Sequence, residues 1–271
     1  MDEKVFQRMI ELERDGIFNQ DPIINPSFTP LEPGQVDYLK KKLSSKIKAF
    51  FCERAVNKFI KKNEKAKQVI LEDIKGLEKL QELNSGAIIV SNHFHPFDSY
   101  PIIKALRKAK IKRKFRIVVA EHNYAGGKGF YGYVFRNKNT IPLASNKRVM
   151  AECLQAINHF LNKGDLILVY PEQALWPNYK KPRPLRDGAF KFAVKAGVPV
   201  VSCFVTMKES EDKTCDTMKW TLHILDVIKP DSSLSAKENV EIIREKAQLL
   251  MKNKYEEVYK TELKFDTKEE K

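Results

Sequence analysis

The chain has 271 residues, 42% hydrophobic and 31% charged, with 49 Lys and Arg against 35 Asp and Glu and a formal net charge of +14. That composition supports a packed core and excludes a chain disordered throughout, and its positive excess asks for an anionic partner: nucleic acid, lipid headgroups, an acidic carrier protein or a phosphorylated substrate. Cys52, Cys153, Cys203 and Cys215 lie far apart with no CxxC pair, no apolar run reaches the roughly 20 residues of a membrane span, and the opening MDEKVFQRMIELERDG is too charged for a signal peptide. The expectation is a reducing, cytoplasmic setting, with any membrane met from its surface.

A short helix is expected over that opening, followed by an arm, FNQDPIINPSFTPLEPGQ, marked by its Pro and Asn content. From Gln35 to Ile70, Leu39, Leu43, Ile47, Phe50, Phe51, Val56 and Phe59 recur at helical spacing, with Lys40, Lys41, Lys42, Lys46, Lys48, Lys61 and Lys62 between them. This predicts a basic amphipathic helix, either packed on the main domain with a solvated face or lying in an anionic membrane surface. Beyond Gly86 short apolar runs alternate with helical segments. AIIVS, FRIVVA, TIPLA, DLILVY, VPVVSCFV and TLHILDVI read as strands, and residues 98–109, 146–162 and 187–196 as helices, before a charged helix from about Ala236 to Glu262. Such alternation predicts an α/β fold, a mostly parallel mixed sheet flanked by helices. The organisation expected is an N-terminal helical segment over 1–80, the main domain over 81–262 and a frayed charged tail over 263–271.

Two strand ends stop abruptly at polar residues, in AIIVSNHFHPFD and DLILVYPEQ. Ligands of open α/β sheets bind outside the carboxyl ends of the strands, so Asn92, His93 and Glu172 converge if these two strands run parallel. His93 and Asp98 are five residues apart, about 140° around an ideal helix, and could not meet within one. Pro96 supplies the necessary turn by biasing His95 away from helical backbone. Asp98 then falls in the first turn of a new helix, where its carboxylate can reach back to the imidazole, fix the tautomer and leave the other ring nitrogen free to accept a proton. That arrangement activates a hydroxyl. Singly, each residue has a plainer reading: Asp98 as a helix-start carboxylate, His93 as a hydrogen-bonded core histidine.

The run Asn92-His93-Phe94-His95-Pro96-Phe97-Asp98 after an apolar strand resembles the signature of the 1-acylglycerol-3-phosphate acyltransferase family. GFYGYVFRNKNTIPL, LVYPEQ and GAFKFAVKAGVPVVSCF follow in that family's order, so the resemblance covers about Gly86 to Phe204. It implies a glycerol-3-phosphate acyltransferase-like fold and transfer of a fatty acyl group from an acyl thioester to the hydroxyl of a lysophospholipid, foremost 1-acyl-glycerol-3-phosphate. His93 would be the base, Asp98 its orienter, Asn92 and Glu172 part of the acceptor site, and Pro199 a wall near the donor. No acyl-enzyme, metal or cofactor is implied. The donor would be acyl-CoA or an acyl carrier protein thioester, with an acyl phosphate a further option, and the protein would sit peripherally on an anionic membrane. Where the family reads PEGTR, this chain reads Pro171, Glu172, Gln173, Ala174, Leu175, and Ser145 stands where a further arginine is usual. Gln173 and a replacement set of cations, Lys147, Arg148, Lys180, Lys181, Arg183 and Arg186, are therefore the candidates for holding an acceptor phosphate.

GGKGF lacks the GK[ST] ending of a nucleotide loop and reads as a flexible loop near the acceptor entrance. The alternatives are an acyltransferase-fold lipid-binding protein without catalysis, and a mononuclear metallohydrolase using His93, His95 and Asp98. Nucleic acid is disfavoured, since the basic residues are spread out and no stacking motif or recognition helix interrupts them.

Overall fold

The computed structural model describes residues 2–24, 27–210 and 217–267. Cys215 and the last residues of the expected tail lie outside them. The chain runs α1 (Glu3–Arg14), α2 (Leu43–Lys65), β1 (Ile70–Lys75), a 3₁₀ turn (Leu77–Glu82), β2 (Ala87–Val90), α3 (Ser99–Lys108), β3 (Phe115–Val119), α4 (Glu121–Ala125), α5 (Gly129–Asn137), β4 (Thr140–Pro142), α6 (Lys147–Asn162), β5 (Leu166–Val169), α7 (Gly188–Ala196), β6 (Val200–Lys208), β7 (Lys219–Ile228) and α8 (Ala236–Tyr259).

Among the described residues seven strands form one sheet in the order β1-β7-β6-β2-β5-β3-β4, parallel throughout except for the β6–β7 pair. The middle strands are continuous apolar runs because both faces are covered, as parallel sheets require. Their side chains alternate between two cores. Ile88, Val90, Ile167, Val169, Val200 and Phe204 meet residues of α6, α7 and α8 on one face. Ala87, Ile89, Leu166, Leu168, Val201 and Val205 meet Tyr100, Ile102, Ala105 and Leu106 of α3 on the other. A third cluster joins Met9 and Leu12 of α1 to Ala174 and Trp176 of the loop after β5, so the N-terminal segment packs directly on a site loop. The expected mostly parallel α/β architecture is the one found.

Several local expectations change. The helix expected over 35–70 starts only at Leu43 and stops at Lys65, and Ile70–Lys75 is instead an edge strand pairing with β7. The segment read as a flexible loop around Gly129 starts α5, whose aromatic residues Phe130 and Tyr131 pack on Phe59 of α2. Gly132 allows this, because a Cβ there would lie 2.0 Å from the Gly127 carbonyl oxygen.

Candidate active site

Val90 and Val169 are register partners in parallel strands, so the segments after β2 and β5 leave the same sheet edge side by side. The first turns at Pro96, with the Asp98 N–H donating to the His95 carbonyl at 3.0 Å, and then enters α3. Asp98 is the residue that opens α3, yet its carboxylate makes no capping bond to that helix. It turns back instead: Oδ2 lies 2.6 Å from His93 Nδ1 and accepts the N–H groups of Phe94 at 3.1 Å and His95 at 3.3 Å. The carboxylate is buried, whereas the imidazole keeps 22% exposure and lines a cavity. Among the described residues Nε2 has no hydrogen-bond partner, so the tautomer that donates from Nδ1 leaves an accepting nitrogen free.

Behind His93 lies a buried support. Glu172 Oε2 accepts the His93 N–H at 3.0 Å and pairs with the Arg183 guanidinium at 2.6 Å, while Oε1 accepts the Arg183 N–H at 2.9 Å. Arg183, 1% exposed, also donates to the carbonyls of Phe18, His93 and Ala174 and lies over the Trp176 ring. The structure thus places Glu172 and Arg183 beneath the loop that carries His93, not in a pocket wall, because both charges are spent on each other and on backbone. Asn92 is likewise internal, exchanging two hydrogen bonds with the Val205 backbone at 3.0 and 2.9 Å. Pro199, expected near the donor, lies at the opposite end of β2, where its carbonyl accepts the Ile88 N–H.

The cavity containing His93 has a volume of about 670 Å³. One arm is apolar, walled by Val56, Phe59, Ile103, Phe130, Val134 and Phe135. The other reaches Asp21, Gln173 and Arg186, and adjoins a second pocket of about 660 Å³ that shares Gln173, Arg186 and Gly188 with it and adds Lys191 and Arg244. Of the six cations expected to hold a phosphate, Arg186 alone lines the His93 cavity. Lys181 is paired with Glu13 at 2.6 Å, Lys180 sits over the Tyr259 ring, and Lys147 and Arg148 are exposed at the start of α6. Lys138, which sequence reasoning passed over, also lines the cavity, and burial lowers its pKa. His95 turns away from His93: its Nδ1 accepts the Phe97 N–H and its ring meets Trp220 edge-on, with its pKa lowered by burial and only partly restored by Asp98.

Tyr170 was not singled out in sequence either. Its ring stacks on the imidazole and its hydroxyl donates to Asp98. The available signal was its position directly after β5, a strand that must neighbour β2 for the two polar strand ends to converge.

A histidine held by a buried carboxylate at the carboxyl edge of a parallel sheet, opening on a largely apolar chamber, defines an α/β protein with its candidate site where open parallel sheets bind ligands. A model of the acyltransferase family matches residues 71–206, half of the chain, and the chain belongs to that family. It is similar to two chloroplastic 1-acyl-sn-glycerol-3-phosphate acyltransferases, one from Brassica napus and one from Arabidopsis thaliana, each 28% identical over 130 residues and 48% of this chain. Those matches span only about a third of the relatives' length, 35% and 34% respectively. In fold it is similar to the crystal structure of the 1-acyl-sn-glycerophosphate acyltransferase PlsC from Thermotoga maritima, with a TM-score of 0.55 at 20% identity over 84% of this chain and 87% of that one.

Proposed function

We propose that the protein transfers a fatty acyl group from a thioester to the free hydroxyl of a lysophospholipid, foremost 1-acyl-glycerol-3-phosphate. The observation that carries this reading is His93, bound through Nδ1 to Asp98 at 2.6 Å with its ring in a largely apolar cavity whose lining also includes Arg186. His93 Nε2 takes the proton of the acceptor hydroxyl, whose oxygen attacks the thioester carbonyl. The tetrahedral intermediate collapses by breaking the carbon–sulfur bond, and the imidazolium returns the proton to the departing thiolate. Atoms balance without a metal, a cofactor or an acyl-enzyme. The apolar arm suits the acyl chain, and the donor is acyl-CoA or an acyl carrier protein thioester. Arg186 takes the duty of the missing PEGTR arginine and meets the acceptor phosphate.

The exposed side chains Leu43, Ile47, Phe50 and Phe51 on α2, beside Lys46 and Lys48, support peripheral contact with an anionic membrane, on its cytoplasmic face. The test is acyl transfer by purified protein from labelled acyl-CoA and acyl carrier protein to lysophospholipids with different headgroups. His93→Ala is expected to lose at least 10³-fold in kcat, and Arg186→Gln to raise KM for phosphate-monoester acceptors about 10- to 100-fold while sparing neutral headgroups. No transfer to any acceptor would leave the rival reading, a lipid-binding protein without catalysis.

A further inference from the structure

Tyr170 stands where the base and its carboxylate can both be controlled. Its ring lies face to face with the His93 imidazole, centroids 4.0 Å apart and planes 11° from parallel. Its hydroxyl donates to Asp98 Oδ1 at 2.5 Å, while His93 Nδ1 holds Oδ2 of the same carboxylate. We propose that Tyr170 is a positioning residue that shares Asp98 with His93, fixing the imidazole plane by stacking and drawing off part of the carboxylate's charge through its hydroxyl. This rests on the reading of His93 as general base.

The physical case has two parts. A carboxylate beside an imidazole favours the protonated ring, and a protonated ring cannot accept the acceptor's proton. Each donor on the carboxylate weakens that pull, and Asp98 has three besides His93: the N–H groups of Phe94 and His95 and the Tyr170 hydroxyl. The two N–H groups belong to the catalytic loop itself, whereas Tyr170 comes from the end of another strand and could be changed without altering that loop. Burial and the Asp98 charge both hold the phenol well above its ordinary range, so it remains a donor whenever the protein is folded. Stacking alone would need only a phenyl ring; the hydroxyl is what reaches the carboxylate. Other ionisable groups beside His93 or on the walls of its cavity are Glu172, which accepts its N–H and is paired with Arg183, and Asp21, Tyr100, His122, Tyr131, Lys138 and Arg186. None of these changes in the variants below.

Tyr170→Phe keeps the stack and removes the bond. The acid limb of the kcat/KM profile is expected to move to higher pH by about half to one unit, the equivalent of one hydrogen bond to a charged group after partial compensation. The titration of the His93 ring followed by NMR, assigned by its disappearance in His93→Gln, is expected to move in step. Installing 3-fluorotyrosine at position 170 strengthens the donor and is expected to move both readouts the opposite way, which keeps the proposal testable if the phenylalanine variant folds poorly. Profiles that superimpose on the parent, even with a uniform loss of kcat, would reduce the hydroxyl to a packing role and overturn the proposal. Because the NMR titration needs no turnover, a protein inactive in every assay would count against acyl transfer while the Tyr170–Asp98–His93 coupling is still read directly.

Discussion

Asp98 occupies a position where a carboxylate ordinarily caps its own helix, and it spends its oxygens elsewhere. That choice was legible in sequence: five residues with a proline between them leave a histidine and an aspartate able to meet only through a turn. The roles of Glu172 and Arg183 were not legible in the same way. Their types suggested substrate binding, and only the pairing of β2 with β5 shows that they stitch Phe18, His93 and Ala174 together from below. Charge type predicts a task; burial decides it. For Asp98 the expected outcome is specific. Asp98→Asn keeps the volume but allows the wrong tautomer, so kcat is expected to fall about 10³- to 10⁴-fold, with KM for the donor changed little. Steady-state kinetics on a variant shown by circular dichroism to be folded would check this, and a loss under tenfold would overturn the proposed orienting role of Asp98.

At the scale of elements, α2 is divided between two environments. Cys52, Val56 and Asn63 are buried, whereas Leu43, Ile47, Phe50 and Phe51 remain exposed toward the N-terminal half. The lysine-and-apolar pattern announced the helix, but its ends were misjudged. Ile70–Lys75 has no strong apolar alternation of its own, and becomes a strand because β7 offers it an edge. The first turns of α5 were hidden by glycines that read as loop residues until Gly132 is seen pressed against Gly127. If α2 rests on anionic lipid, sedimentation with phosphatidylglycerol vesicles should bind the protein in low salt and release it as salt rises. Replacing Phe50 and Phe51 with Ser, or Lys46 and Lys48 with Glu, is expected to lower the bound fraction at least several-fold. Binding unchanged in both variants would make this face merely solvated.

Over the whole molecule the sheet holds a titratable group far in sequence from the site. His223 in β7 is 4% exposed and hydrogen-bonded to Thr206 at 2.9 Å, and burial lowers its pKa from 6.5 to about 4, aided by Lys254 and Lys75. Since the unfolded chain binds the proton more readily, stability from this residue is complete above about pH 6.5 and is lost as pH falls toward 4. Urea denaturation between those pH values should show the parent losing stability more steeply than His223→Gln, by a few kcal/mol at most across the range. Equal slopes would place the acid sensitivity in other groups. The sheet order itself was only partly legible: the alternation of strands and helices announced the parallel centre, but the antiparallel insertion of β7 between β1 and β6 depends on contacts no local pattern records.

That insertion governs how the protein can be made. β1 leaves the ribosome early, yet Ile70 finds its partner at Lys219, about 150 positions later. β6 in the meantime has nine residues, of which the first eight are buried in the finished sheet, and its outer edge is closed only by β7. A nascent chain that stalls before β7 therefore carries an open apolar edge able to recruit other strands. Premature termination in that region would yield a substrate for chaperones and proteases, even though every residue lining the His93 cavity has by then been translated.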